Sequence, residues 1–179
     1  MPNHVINIIR FINCNKETVD EIKKSVKGNE DEYFDFNKLI PMPDYIFRGN
    51  LGTEERKLYG KNNWYDWSRE NWGTKWNAYD VCWREDAVDF CTAWCPVHKI
   101  VEKLSKLFPK ITMFYQWADE NYGYNVGSYF IKNGETFAEA FPTEGTGMAY
   151  DLSFSTWGID PKELGLHYNA QEDTYEYKE

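Results

Sequence analysis

Two short segments, residues 78–84 and 87–94, alternate apolar and polar side chains in step with one another, and this paired pattern constrains the fold more than any other feature of the chain. A period of two belongs to strands with one buried face. A two-residue turn at Glu85-Asp86 sets Trp83 opposite Val88, Val81 opposite Phe90 and Tyr79 opposite Thr92, so that every large apolar group lands on one face. Asp80, Cys82, Arg84, Asp89 and Cys91 occupy the other face. Glu-Asp is a weaker turn dipeptide than Asn-Gly, so the register rests on the agreement of the two patterns.

The neighbouring segments extend this hairpin into a fold. Pro96 suits a first helical position, and Val97, Ile100, Val101, Leu104, Leu107 and Phe108 form an apolar stripe at helical spacing that stops at Pro109. Upstream, residues 5–13 are rich in β-branched side chains with apolar groups on both sides of the period-two pattern, as in a central strand covered on both faces. Asn15 can cap a following helix marked by Val19, Ile22 and Val26, with Asp20 four residues before Lys24 and Gly28 at its stop. Downstream strands are expected at 111–118, 124–131 and 135–141, the last two joined by the strong hairpin signal Asn133-Gly134. After Pro142 the chain reads as loop, with a short helix starting at Asp160-Pro161 and a frayed end over the last nine residues.

Strand, helix, two strands, helix, strand is the order of an α+β, ferredoxin-like split βαβ domain: an antiparallel sheet with both helices on one face. The expected organisation is a domain over residues 1–141, with an extra C-terminal hairpin, and an extension over 142–179. An insertion of about 29–77 follows the first helix. It holds Pro41, Pro43 and a crowd of Trp64, Trp67, Trp72 and Trp76, with short helices expected near Glu54 to Tyr59. Aromatic residues make up 18% of the chain, so the core must be built largely from rings whose polar atoms need partners.

Three stretches, Phe34-Asp35-Phe36-Asn37-Lys38-Leu39-Ile40-Pro41-Met42-Pro43, Asn71-Trp72-Gly73-Thr74-Lys75-Trp76-Asn77-Ala78-Tyr79-Asp80 and Phe90-Cys91-Thr92-Ala93-Trp94, together with Asn3-His4-Val5, resemble the YubB ferredoxin-like domain family from Met1 to about Phe141. Cys95-Pro96 stands where that pattern leads one to expect Ser-Pro, and the residues beyond Pro142 lie outside it. The resemblance implies the fold and carriage by phages, plasmids and integrated elements. It brings no biochemical activity with it, so the motif residues are read physically.

Trp72 and Trp76 lie four apart with Lys75 between them, a set suited to gripping a small anionic or planar ligand, and Asp80 and Arg84 can border the same pocket. The ordinary alternative is an aromatic plug over the sheet face that the helices leave open. Cys95 at a helix N-cap, near Cys91 and His98, suggests a reactive thiol or a metal corner, but the spacing lacks the paired ligands of structural zinc sites, so no metal and no cofactor are expected. Gly145-Thr146-Gly147 lacks the Lys-Ser/Thr of a phosphate loop.

A net charge of −9 disfavours nucleic acid, whose backbone is bound by displacing counterions with Lys and Arg. The third strand also carries Asp89 in place of the Lys/Arg-Gly-Phe pattern of RNA-recognition domains. The N-terminus shows no secretory pattern, no stretch approaches the roughly 18 apolar residues of a membrane span, and four scattered cysteines do not make a disulfide framework, so a cytoplasmic protein is expected. The first functional reading is a nonenzymatic accessory protein of a mobile element that binds a host or element protein, a host defence component being one such partner. The alternatives are a protein that binds or sequesters a small molecule or nucleotide through the tryptophan-rich segment, and an enzyme with no recognisable motif.

Overall fold

Val5, Ile9 and Phe11 on one side of strand β1 (His4–Ile12) and Ile8 on the other are all buried, which makes β1 the central strand its composition demands. The computed structural model describes residues 2–29 and 33–177; the opening of the insertion at 30–32 and the last two residues of the expected frayed end lie outside the described residues. Helix α1 (Lys16–Val26) begins at Asn15, whose side chain accepts the Thr18 amide at 2.9 Å, and it buries Val19, Ile22 and Val26. Strands β2 (Tyr79–Trp83), β3 (Ala87–Ala93) and β4 (Thr112–Asp119) and helix α4 (His98–Leu107) complete the split βαβ unit. Between α1 and β2, the insertion holds helices α2 (Thr53–Tyr59) and α3 (Trp64–Asn71) and a 3₁₀ turn at Phe36–Lys38. Strands β5 (Val126–Lys132) and β6 (Glu135–Ala140) widen the sheet to the order β2-β3-β1-β4-β5-β6, with neighbours antiparallel throughout. Asn133 and Gly134 both take positive φ, as a tight hairpin requires. The fold is ferredoxin-like.

Four expectations need correction. The β2–β3 hairpin does pair Trp83 with Val88 across a two-residue turn, but Tyr79 lies opposite Cys91 rather than Thr92. The register shifts between Tyr79 and Cys82, where Asp80 takes φ 51°, and the extra residue carries Tyr79 to the Cys91 side of the sheet. Its hydroxyl there meets His4 Nδ1 at 2.7 Å.

The tryptophan-rich insertion packs on the same face as α1 and α4, not on the opposite one. Phe34, Phe36, Leu39 and Trp72 form one core with Ile22 of α1, Ile100 of α4 and the β3 residues Val88 and Phe90. Phe34 stands edge-on to Phe90 at 4.9 Å, and Phe36 stands edge-on to Trp72 at 5.8 Å. Phe34 and Phe36 both stand edge-on to Phe90 of β3, so the insertion's rings share with α1 and α4 the covering of this face.

The other face is closed by helix α5 (Gly147–Trp157), in a segment that reads as loop from its sequence. Its Thr156 bonds Gln116 of β4, and the Trp157 Nε1–H donates to the Asp119 carbonyl at 3.0 Å. Tyr150 and Phe154 meet Tyr175 at 5.5 and 5.1 Å. The buried side of α5 includes Ser153 and Thr156 while Met148 stands 67% exposed, so its polarity does not follow the period that marks an amphipathic helix. Tyr175 belongs to a small hairpin, β7 (Leu166–Asn169) and β8 (Thr174–Tyr177), so most of the expected frayed end is a strand pair seated on α5. The 3₁₀ turn at Pro161–Leu164 starts where the sequence places it, capped by Asp160.

Finally, Cys95 is not a helix cap. The N-cap of α4 is Val97, whose amide donates to the Tyr115 hydroxyl at 3.0 Å. Cys95 stands two residues earlier, outside the reach of the helix terminus.

Candidate functional site

Helix α3 starts at Asn63, which accepts the Asp66 amide at 3.0 Å, and this start places Tyr65 and Arg69 one turn apart on the same side. The Arg69 guanidinium lies 5.4 Å from the centre of the Tyr65 ring. Beyond the helix, Gly73 turns the chain at φ 88°, and Thr74 then fastens the segment to the end of β3. Its hydroxyl donates to the Ala93 carbonyl at 2.9 Å and accepts the Ala93 amide at 3.2 Å. Ser68 of α3 bonds the Lys75 carbonyl at 2.9 Å. With Thr74 fastened and its own carbonyl bonded, Lys75 holds its ammonium 4.2 Å from the Trp76 ring and 5.2 Å from the Trp94 ring.

Trp94 follows β3 in the left-handed region, at φ 68°, which a bulky residue adopts only when its surroundings impose it. They do so here: its amide donates to the Asn3 carbonyl at 2.9 Å, and its own carbonyl accepts Asn125 Nδ2 at 3.0 Å. The result is a cleft of about 310 Å³ lined by Tyr65, Arg69, Thr74, Lys75, Trp94 and Cys95 among others, with no Asp or Glu among the described residues that line it. Two cations and the Trp94 indole in the lining, with the Trp76 ring beside Lys75, suit a planar anion.

The residues singled out from sequence divide. Lys75 lines this cleft, while Trp76, 40% exposed, is not among its lining residues and reaches it only through the Lys75 ammonium over its ring. Trp72 is core, 5% exposed, and its Nε1–H donates to the Ile40 carbonyl at 2.9 Å. Asp80 sits exposed at the β2 bulge. Arg84 lies past the other end of β2, paired with Asp89 and lining a separate groove with Lys16, Lys23 and Trp83. Burial pushes the Asp89 carboxyl up despite Arg84 beside it.

Cys91, Cys95 and His98 do not meet. Cys91 pairs with Ile6 on the α5 side of the sheet, where burial, with Asp80 and Glu120 adding to it, raises its thiol to about 11. Cys95 lines the cleft, and burial also raises its thiol, with Arg69 pulling the other way and Asp119 raising it further. His98 is held on the helix side by the Tyr129 hydroxyl at 3.1 Å, and burial lowers its pKa. Among the described residues no three His, Cys, Asp or Glu converge as metal ligands. Sequence reasoning overlooked Tyr65, Arg69 and Trp94. The first two carry a usable signal, four-residue spacing after the cap Asn63, but Trp94 reads only as the end of a strand.

Sheet, helices and cleft thus define a ferredoxin-like α+β domain with a cationic, aromatic recess at one sheet edge. The chain belongs to the family described as the ferredoxin-like domain in Api92-like protein, whose model matches residues 71–160, from Lys75 and Trp76 through α5. That is a domain family of unknown function. Among solved structures, a crystal structure of a protein api92 from Yersinia pseudotuberculosis is similar at 16% identity and a TM-score of 0.45, over 62% of this chain and 40% of that one. The chain therefore spans about two fifths of the length of that protein. No curated protein matches. No described helix is long and apolar enough to cross a membrane.

Proposed function

We propose that the chain is a nonenzymatic, cytoplasmic accessory protein of a mobile element that acts by binding, and that its ligand is a small planar anion of the nucleotide class held in the α3–β3 cleft. The observation that carries this reading is the Lys75 ammonium set beside the Trp76 and Trp94 rings, with Arg69 on Tyr65, at a recess that no Asp or Glu lines among the described residues. A base or similar ring would stack on the indoles while its phosphate meets the two cations, so affinity comes from two chemistries at once. The mobile-element setting rests on the resemblance to the YubB family carried by the Asn71 to Asp80 stretch. A thermal-shift panel of nucleoside monophosphates and cyclic nucleotides tests it. A ligand at a hundred times its Kd stabilises the fold by about 2.7 kcal/mol. The wild type is expected to shift with at least one of them, and Lys75→Ala and Arg69→Ala to lose that shift; a flat wild-type panel, or a shift that survives both substitutions, overturns the reading.

A second reading, binding of a host protein, is favoured by the stacked Phe130 and Phe137 rings near the sheet edge, 5.7 Å apart with Phe137 exposed. A host-lysate pull-down should then recover a reproducible partner that Phe137→Asp releases, and recovery unaffected by that change counts against this surface.

A further inference from the structure

A second recess lies on the helix side of the sheet, where α4 passes over β5 and stops short of the edge strand. It measures about 280 Å³ and is lined by His98 and Glu102, one turn apart on α4, by Tyr129 of β5, and by Thr136, Glu139 and Phe141 on and just after β6, among others. Its chemistry is the inverse of the first: two carboxylates, two aromatic rings and an imidazole, with no Lys or Arg among the described residues that line it. From this arrangement we propose that the recess binds a small organic ammonium ion, its cationic head between Glu102 and Glu139 and its apolar body against Tyr129 and Phe141.

Three features support the assignment. The imidazole contributes no opposing charge, because burial favours its neutral form and its Nδ1 is occupied by the Tyr129 hydroxyl. The rings are held in place before any ligand arrives. Tyr129 packs against Tyr115 and Trp117 at 5.3 and 6.0 Å, and Phe141 leans on Trp117 at 5.8 Å while remaining 56% exposed. Ammonium ions are attracted to such ring faces, at about 0.5–1 kcal/mol for exposed sites and more where water is excluded.

The neighbouring cation also fits. Lys106 already pairs with Glu102 at 2.5 Å, so one of the two carboxylates meets an ammonium in the free protein. Its methylenes run close beneath the Gly134 turn, which holds it at the rim. A ligand would compete with Lys106 for Glu102 while having Glu139, bonded among the described residues only by the Thr136 hydroxyl at 2.6 Å, as a second anchor.

The test is an NMR titration of the full chain with butylammonium and with tetramethylammonium, using 1-pentanol as an uncharged control. Both cations are expected to shift signals of Glu102, Tyr129 and Glu139, and the alcohol to shift them far less. Glu139→Gln, at an exposed site that leaves the core untouched, should weaken cation binding roughly two- to fivefold, the equivalent of 0.5–1 kcal/mol. Lys106→Met keeps the methylenes and removes the competing charge, so it should tighten binding. Shifts from butylammonium alone assign the recess to primary amines, and shifts from both assign it to ammonium ions generally. The proposal fails if neither cation shifts these signals, if the alcohol binds equally well, if Glu139→Gln leaves affinity unchanged, or if Lys106→Met weakens it.

Discussion

Replacing Trp72 by alanine is expected to destabilise the fold by about 3–5 kcal/mol, the range for emptying a large aromatic site in a packed core. Its indole stands edge-on to Phe36 at 5.8 Å and to Trp67 at 5.5 Å, and its N–H satisfies the Ile40 carbonyl. Truncation therefore opens a cavity under the insertion and leaves a carbonyl without its donor. Trp76, four residues on, is the contrasting case. It is partly exposed beside Lys75, so Trp76→Ala should cost less than about 1 kcal/mol of stability, as a surface change does, while weakening the proposed ligand. Urea unfolding of the two variants checks both halves. Equal losses would mean that the two indoles are not divided between core and cleft.

The second large effect is expected at Asn7, fully buried in the middle of β1. Its amide donates to the Val5 carbonyl at 2.9 Å and to Thr92 Oγ1 at 2.8 Å, and its oxygen accepts the Tyr115 hydroxyl at 2.6 Å. Tyr115 in turn accepts the Val97 amide at the start of α4, so one asparagine ties the central strand to β3, β4 and the second helix. Asn7→Leu keeps the volume but leaves the Tyr115 O–H in the interior without its acceptor, while its oxygen still takes the Val97 amide, at about 1–3 kcal/mol for the unsatisfied group. Tyr115→Phe removes a different link of the same chain, so the double variant should lose less than the sum of the single ones. Additive losses in thermal or urea unfolding would show that the groups act separately.

How far the sequence reveals this protein depends on whether a residue's role is set by its neighbours in the chain. Asn15, the stripe Val97 to Leu104 and the Asn133-Gly134 turn act locally, and each of them stands where its pattern places it. Helix α5 does not, because it buries Ser153 and Thr156 against its neighbours and leaves Met148 exposed, so no apolar stripe announces it. The side of the sheet that the insertion covers is likewise a long-range matter: Phe34 and Trp72 carry no mark of which face of β3 they will meet. The same limit divides the site. Lys75 and Trp76 stand out as sequence neighbours, but Trp94 joins them only through its left-handed backbone and the contacts that impose it, and Arg84 drops out because β2 carries it to the far end of the strand.

Equilibrium titration of AMP and adenosine into the wild type and the Arg69→Ala/Lys75→Ala double variant tests the cleft most directly. If the two cations hold the phosphate while the indoles hold the ring, AMP should bind the wild type more tightly than adenosine, and the double variant should lose at least roughly tenfold for AMP, about 1.4 kcal/mol, with little change for adenosine. Equal affinity of the two ligands for the wild type, or AMP affinity untouched by the double substitution, would contradict the account.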